Sequence, residues 1–197
     1  MEPNTYRPLL EAPYSTRLIK IKPGTHDSDI TCIIHDYTLR PGSTPGPYEA
    51  LSYVWGDQTQ KRCVYIQYAT NASSNQTEFL YVTINLDVAL RRLRDTYFPR
   101  FMWIDALSID QENIEERGIQ GFMAKMYSHA KGVLVWLGEE ADGSSELFDG
   151  FLELANAEQN ERNSKANGLQ KAAVALARRS WFNRIWVRRQ RIHVRIE

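Results

Sequence analysis

Polar residues follow two segments of the chain that are predicted to be buried strands, and they are the first candidates for chemistry. One group lies at the end of the segment Glu49–Trp55 and directly after it: Ser52, Tyr53, Trp55, Gly56 and Asp57. The apolar segment Phe101–Asp105 provides the other group: Asp105, Ser108, Asp110 and Gln111. Ligands of open parallel sheets bind in the crevice beyond the carboxyl ends of the strands. The spacing therefore predicts a polar, acidic ligand-binding edge.

A further polar group lies on a helix predicted from about Gln111 to Ala130. Its members recur at i, i+3, i+4 and i+7 and so form one stripe at the border between core and water: Asn113, Glu116, Arg117 and Gln120. In a strand-helix-strand unit, the start of the helix faces the carboxyl edge of the sheet. We therefore predict one crevice in which four side chains converge: Asp57, Asp105, Glu116 and Arg117.

Structural roles compete with chemical ones at these positions. Asp105 could end its strand by accepting backbone N–H groups, and Arg117 could pair with a nearby carboxylate as part of the fold. Trp55 and Trp103 could pack in the core instead of stacking on a ligand. Gly56 could supply a turn with positive φ. The residue types alone leave these alternatives open.

Hydrophobic patterning places the candidates in an α/β chain. Alternating and β-branched segments predict strands in the first half of the chain: Arg17–Ile21, Ile30–Tyr37, Glu49–Trp55, Lys61–Tyr68 and Glu78–Ile84. The last two are predicted to form a hairpin. Asn85 is the predicted N-cap of a helix that follows them.

The second half of the chain is predicted to contain a strand-helix-strand unit. Phe101–Asp105 and Gly132–Leu137 flank the long helix, which predicts that they are parallel neighbours in one sheet with Leu51–Trp55. An acidic helix is expected after Gly138. A polar linker at Asn160–Gly168 is expected to lead to a last helical region.

Bulk composition excludes several classes of protein. The 24 Lys and Arg balance the 24 Asp and Glu, so net charge gives no case for nucleic acid. The longest central apolar run, Val133–Leu137, is too short to span a membrane, and the N-terminus lacks a secretory-signal pattern. Two cysteines cannot form a disulfide framework, and the scattered histidines lack metal-ligand spacing. We therefore expect a cytoplasmic chain without a metal site.

Three blocks of this sequence resemble the heterokaryon incompatibility (HET) family. Tyr48–Asp57 (YEALSYVWGD) looks like the opening motif of that family, and Trp103–Asn113 (WIDALSIDQEN) is similar to the start of its central block, which continues to Gly138. Ser180–Val187 (SWFNRIWV) resembles its third block. The chain departs from the family pattern at Ser108, where Cys is usual, and at Asp110, where Asn is usual.

The resemblance implies a division of the chain and a fold. The N-terminal β extension would cover residues 1–47, the HET domain 48–187, and an atypical tail, consistent with a truncated gene end, 188–197. We expect this tail to be poorly packed, since ordering backbone costs about 1–2 kcal/mol per residue. HET domains are also remotely similar to Toll/interleukin-receptor (TIR) domains. This implies a mostly parallel, TIR-like (flavodoxin-like) sheet flanked by helices, with an N-terminal β extension or hairpin.

The same resemblance implies functions for the chain. The first is a fungal non-self recognition module that triggers cell death by self-association or by binding a protein partner. The second is a TIR-like NAD glycohydrolase, in which Glu116 or Asp105 would stabilise the positive charge that develops at the ribose. The third is a degenerate relative with neither role. NAD would be a substrate, and no cofactor is implied. Where TIR-type enzymes need a glutamate, the chain has Arg189-Gln190, which favours the first function.

Overall fold

The computed structural model describes residues 6–9, 14–40, 45–69, 77–117, 120–156, 159–183 and 194–195. For residues 115, 117, 120, 121, 159–167 and 194–195 it describes the backbone alone. The chain divides into two compact units. The first runs to Trp136 and includes residues 194–195, and the second begins at Leu137.

A mixed sheet organises the first unit. Its strands are β1 (Ser15–Ile21), β2 (Thr31–Thr38), β3 (Glu49–Tyr53), β4 (Lys61–Tyr68), β5 (Glu78–Thr83), β6 (Arg100–Trp103), β7 (Gly132–Trp136) and the two-residue β8 (Val194–Arg195). Their order across the sheet is β5-β4-β2-β1-β6-β3-β7-β8. The helices of this unit are α1 (Ile84–Leu93), α2 (Asp105–Ser108), α3 (Ile114–Arg117) and α4 (Gln120–His129). The α/β class predicted from the sequence is thereby confirmed.

The three strands that bear the candidate residues are parallel members of this sheet, but their order differs from the prediction. β3 pairs with β6 on one side and with β7 on the other. The prediction that β6 and β7 are direct neighbours is therefore wrong. β3 is buried along four of its five residues, and a strand that is apolar on both faces is most stable in the interior of a sheet.

β1 joins this parallel group to the rest of the sheet. It is antiparallel to β2 along its whole length and antiparallel to β6 at Ile19–Ile21. The predicted hairpin of β4 and β5 is confirmed by antiparallel pairing from Lys61 opposite Thr83 to Ile66 opposite Glu78. β2 and β4 are parallel.

Alternate residues of the central strands pack against opposite faces of the sheet. Ile19, Leu51 and Met102 belong to a cluster that includes Leu86 and Leu90 of α1. Their neighbours face the other way, in a second cluster that includes residues of α4: Leu18, Ala50, Trp103, Phe122, Met126 and Val133. Because α1 and α4 each cover one of these faces, the carboxyl edge of the parallel strands lies between two helical layers.

The helix predicted from about Gln111 begins later, at Ile114. Residues 109–113 are not helical between α2 and α3, and residues 118 and 119 lie outside the described residues. Two short polar side chains explain the break by bonding to backbone N–H groups, as Asp and Asn do outside helices. Asp110 Oδ1 accepts from the N–H of Glu112 at 3.0 Å, and Asn113 Oδ1 accepts from the N–H of Glu116 at 3.3 Å.

The predicted N-cap of α1 is also wrong by two residues. Thr83 is the N-cap, and its Oγ1 accepts from the N–H of Leu86 at 3.4 Å. Asn85 is instead engaged by its side chain. Its amide donates to the carbonyl oxygen of Val54 at 2.5 Å, and its Oδ1 accepts from the indole N–H of Trp136 at 2.9 Å. Asn85 therefore links the ends of two strands, and Thr83 caps the helix.

The second unit is helical and contains α5 (Ser144–Asn156), α6 (Gln159–Ala177) and a 3-10 turn at Ser180–Asn183. The acidic helix predicted after Gly138 is confirmed as α5. The predicted linker Asn160–Gly168 is wrong, because these residues lie inside α6. Gly150 of α5 allows close packing, since a Cβ there would come within 2.6 Å of Leu169. No helix in the described part of the chain is both long and apolar enough to cross a membrane.

Candidate functional site

Asp105 lies at the carboxyl edge of the parallel strands, where β6 ends and α2 begins. Its Oδ2 accepts from the indole N–H of Trp55 at 3.2 Å, and its Oδ1 accepts from the N–H of Ala106 at 2.8 Å. The side chain is buried. Trp55 follows β3, so this bond links the ends of two adjacent strands. The structure thus brings together two of the residues predicted from strand ends.

Glu116 forms a buried ion pair with Arg17 of β1. Arg17 Nη1 lies 2.7 Å from Glu116 Oε2, and Nη2 lies 3.1 Å from Oε1. The backbone N–H of Asp110 also donates to Oε2 at 2.9 Å. Glu116 therefore accepts three hydrogen bonds from protein donors. A forked, two-point pair of this kind is strong and geometrically specific.

Arg17 was absent from the residues predicted to form the site. Its side chain is only 1% exposed. It also donates to the carbonyl oxygen of Ser108 at 3.4 Å and to that of Arg7 at 2.6 Å. The pattern Arg17–Ile21 alternates basic and apolar residues, which suggests one solvated face. In fact β1 is covered on both faces near Arg17, so the guanidinium must find partners inside the protein.

Tyr6 lies beside this pair. Its ring centroid is 5.0 Å from the guanidinium carbon of Arg17, and its hydroxyl donates to the carbonyl oxygen of Ala106 at 3.1 Å. Burial raises the pKa of Tyr6 far above its usual value, and the charges of Asp110 and Glu116 act in the same direction against Arg17. The phenol therefore stays neutral and acts as a hydrogen-bond donor.

The remaining polar residues after β6 mostly stabilise the loop itself. Ser108 Oγ accepts from the N–H of Ile104 at 3.1 Å. The Gln111 amide donates to the carbonyl oxygens of Asp105 at 3.1 Å and Ile109 at 3.4 Å. Asn113 caps α3, as described above. The side chains of Arg117 and Gln120 lie outside the described residues.

The residues after β3 form a tight turn. Gly56 has a φ of +75°, and a Cβ there would meet the Cβ of Asn85 at 3.3 Å. This is the turn role that positive φ reserves for glycine. Asp57 is exposed, and its Oδ1 accepts from the N–H and the hydroxyl of Thr59 at 2.8 and 2.7 Å. These bonds lower the pKa of Asp57. Ser52 and Tyr53 are buried within β3.

A cavity of about 600 Å³ opens beside these loops. Four residues predicted for the site line it: Tyr53, Trp55, Asp110 and Gln111. Its opposite wall consists of β5, where Phe79 and Tyr81 are about half exposed. The described lining does not include three other residues predicted for the site, Asp57, Asp105 and Glu116. Within the same described part of the chain, no group of three side chains could hold a metal ion.

Residues 48–189 match the family described as Heterokaryon incompatibility protein (HET). This chain belongs to that family. It is 34% identical over 147 residues to "Heterokaryon incompatibility protein 6, OR allele" of Neurospora crassa, an alignment that covers 70% of this chain and 21% of the relative. The chain thus spans about a fifth of the length of that relative. No solved structure matches.

Several aromatic residues of the HET motifs have packing roles. The hydroxyl of Tyr48 donates to the carbonyl oxygen of Met126 at 2.8 Å, and that of Tyr127 donates to the carbonyl oxygen of Leu51 at 3.0 Å. The indole N–H of Trp103 donates to Thr16 Oγ1 at 3.1 Å. The two tyrosine bonds attach α4 to the sheet, and the Trp103 bond links β6 to β1. The third HET motif continues beyond Trp181 and Phe182 into residues 184–187, which lie outside the described residues.

Proposed function

We propose that this chain is a HET domain that acts in fungal non-self recognition and cell-death signalling through protein contacts, without cleaving NAD. Membership of the HET family and the incompatibility protein of Neurospora crassa support the biological role. We also propose a cytoplasmic location and self-association or a protein partner as the route of signalling.

The observation that most favours a non-catalytic role is the engagement of Glu116. Its carboxylate accepts two N–H groups of Arg17 and the N–H of Asp110. A carboxylate that stabilises a developing positive charge must reach the reacting atoms. Glu116 is held by the fold instead, and Arg17 already supplies its counter-charge. This supports a structural role for Glu116, one of the two acids that the sequence suggested for this chemistry.

Asp105 supports the alternative function, a TIR-like NAD glycohydrolase. Its carboxylate contacts Trp55, which lines the cavity, so it lies one side chain away from a space of suitable size. The strand order agrees with a TIR-like fold. Of the three parallel strands, β3 comes first along the chain, β6 second and β7 third. Across the sheet they lie in the order β6-β3-β7, that is second-first-third, as in flavodoxin-like sheets. We propose this finer fold, together with HET boundaries at 48–187.

Induced expression in a filamentous fungus tests the proposed role. We expect cell death, scored by uptake of a vital dye, when the folded chain accumulates. Asp105→Asn keeps the shape of the side chain but replaces one of its two acceptors with a donor, so killing is compared at equal amounts of folded protein. At equal amounts it should kill as well as the parent, because no catalysis is required. Arg17→Met should abolish killing because it destabilises the fold. Accumulation of folded protein without death would contradict the signalling role. The enzymatic alternative would be favoured if the parent chain depletes cellular NAD and kills, while Asp105→Asn preserves NAD and does not kill.

A further inference from the structure

The charged residues around the cavity in the first unit favour a positively charged ligand. Among the described residues, its lining includes the acids Glu78, Asp110 and Glu112 and one base, Lys61. The guanidinium of Arg17 lies nearby but is neutralised by Glu116 at 2.7 Å. Net negative charge therefore remains at the cavity. A low-dielectric wall strengthens the effect of such charge on a bound ion.

Asp110 is the member of this group best placed to act as a counter-ion. Its side chain is only 6% exposed. Oδ1 accepts from the N–H of Glu112 at 3.0 Å. In the part of the chain that the structure describes, Oδ2 has no hydrogen-bond partner and no cation lies within ion-pair distance. Because Asp110 is largely removed from water, a cationic ligand in the cavity would provide the partner that Oδ2 lacks.

Aromatic side chains make up much of the remaining wall. They are Tyr6, Tyr53, Trp55, Phe79 and Tyr81. Phe79 and Tyr81 meet edge to face, with ring centroids 5.6 Å apart, and both are about half exposed on the edge strand β5. Aromatic faces attract cations, and clusters of them recognise quaternary ammonium groups. The wall thus combines apolar contact with attraction for positive charge.

We propose that this cavity binds a small organic cation whose charge is spread over apolar groups, as in a quaternary ammonium or an N-alkylated pyridinium ring. Asp110 provides the counter-charge, and the aromatic wall contacts the apolar groups. A hard metal ion would need several oxygen ligands. A dinucleotide would bring phosphates to a cavity where Lys61 is the single basic residue among the described residues of the lining. This binding site does not depend on the proposed function, since the ligand could serve recognition whether or not NAD is cleaved.

Calorimetric titration of the whole purified chain with matched probes tests the proposal. 1-Methylnicotinamide is compared with neutral nicotinamide, and choline with neutral 3,3-dimethylbutanol, so the two pairs also distinguish a ring cation from an aliphatic one. We expect at least one cation to bind tenfold or more tightly than its neutral partner. Asp110→Asn should remove most of this preference and leave the neutral probe unchanged, because the Asn side-chain oxygen still accepts from Glu112.

Two further variants keep the test decisive. Glu112→Gln changes an exposed lining acid with little risk to folding and should reduce cation binding about threefold. Asp27→Asn removes a fully exposed acid that is not part of the described lining and should change nothing. Equal affinity for cation and neutral partner, no binding of any probe at millimolar concentration, or an equal loss in Asp27→Asn would overturn the proposal. Release of nicotinamide from NAD would contradict the proposed function and leave this one standing.

Discussion

Arg17 and Glu116 form an ion pair at 2.7 Å whose side chains are 1% and 13% exposed. Removing one partner of a buried pair leaves the other charge uncompensated, which costs about 3–5 kcal/mol. We therefore expect Arg17→Met to lower the free energy of unfolding by about that amount, measured by urea denaturation followed by circular dichroism.

A matched variant separates charge from geometry at this pair. Arg17→Lys keeps the positive charge but loses the planar fork that contacts both oxygens of Glu116. It should therefore be destabilised less than Arg17→Met. A loss below about 1 kcal/mol in Arg17→Met, the value typical of exposed pairs, would show that the pair is not a structural element of the fold.

His35 on β2 makes stability depend on pH. Burial lowers its pKa, Lys20 acts in the same direction, and Asp36 opposes them. Its ring packs 5.4 Å from that of Phe101. Because the unfolded chain takes up this proton more readily than the folded one, the stabilisation is complete above about pH 6.5 and declines as pH falls below that value.

The control for this dependence is His35→Gln, which cannot titrate in this range. We expect denaturation midpoints of the parent chain to fall between pH 7 and pH 5.5 more steeply than those of the variant. Identical slopes for the two proteins would show that His35 does not contribute to the pH dependence of stability.

At the scale of residues, spacing was informative about strand ends and uninformative about partners. Trp55 and Asp105 were selected because each follows a buried strand, and the bond between them agrees with that choice. Arg17 could not be selected in this way. Its partner is 99 residues away in the sequence, and a basic residue in an alternating strand normally faces water. Its burial depends on residues distant in the sequence that contact its guanidinium, namely Tyr6, Ser108 and Glu116.

At the scale of elements, Asn85 links the ends of two strands instead of capping a helix, and substitution tests how much this link stabilises the fold. Its side chain bonds to the carbonyl oxygen of Val54 after β3 and to the indole of Trp136 at the end of β7. Asn85→Ala leaves both partners unsatisfied, and each such loss costs about 1–3 kcal/mol when buried. We expect a decrease of about 2 kcal/mol in the free energy of unfolding, measured by urea denaturation.

Asn85→Asp is the informative companion to that variant. It keeps the acceptor for the Trp136 indole but sets a carboxylate oxygen against the carbonyl oxygen of Val54, so it should destabilise the chain at least as much as Asn85→Ala does. If Asn85→Ala unfolds at the same urea concentration as the parent, the link between the two strand ends is not important for stability.

The elements themselves were largely predictable, while their neighbours and breaks were not. Strong periodicity located the described strands β1 to β7 to within a few residues. The order β6-β3-β7 depends on how chain crossovers pack, which local patterning does not encode. The break before α3 depends on the side-chain bonds of Asp110 and Asn113 to nearby N–H groups. The helical periodicity from Gln111 onward concealed it.

For the molecule as a whole, family membership and site geometry support different parts of the account. The HET match covers residues 48–189, and it supports a role in fungal incompatibility. The geometry supports the proposed lack of NAD cleavage, because Glu116 is bonded by three protein donors. The sequence supports it as well, because Arg189-Gln190 stands where the TIR resemblance implies a glutamate. The family match and the evidence from the site are independent, so an experiment can contradict the incompatibility role and the lack of NAD cleavage separately.

The most direct measurement is release of nicotinamide when the purified chain is incubated with NAD at millimolar concentration, followed by chromatography over hours. We expect no release above that of a heat-denatured sample. Gln190→Glu restores the missing carboxylate and is the positive probe, which would gain activity if the TIR mapping is right. Robust nicotinamide release by the unaltered protein, abolished by Asp105→Asn in a folded variant, would contradict the account and identify this chain as an NAD glycohydrolase.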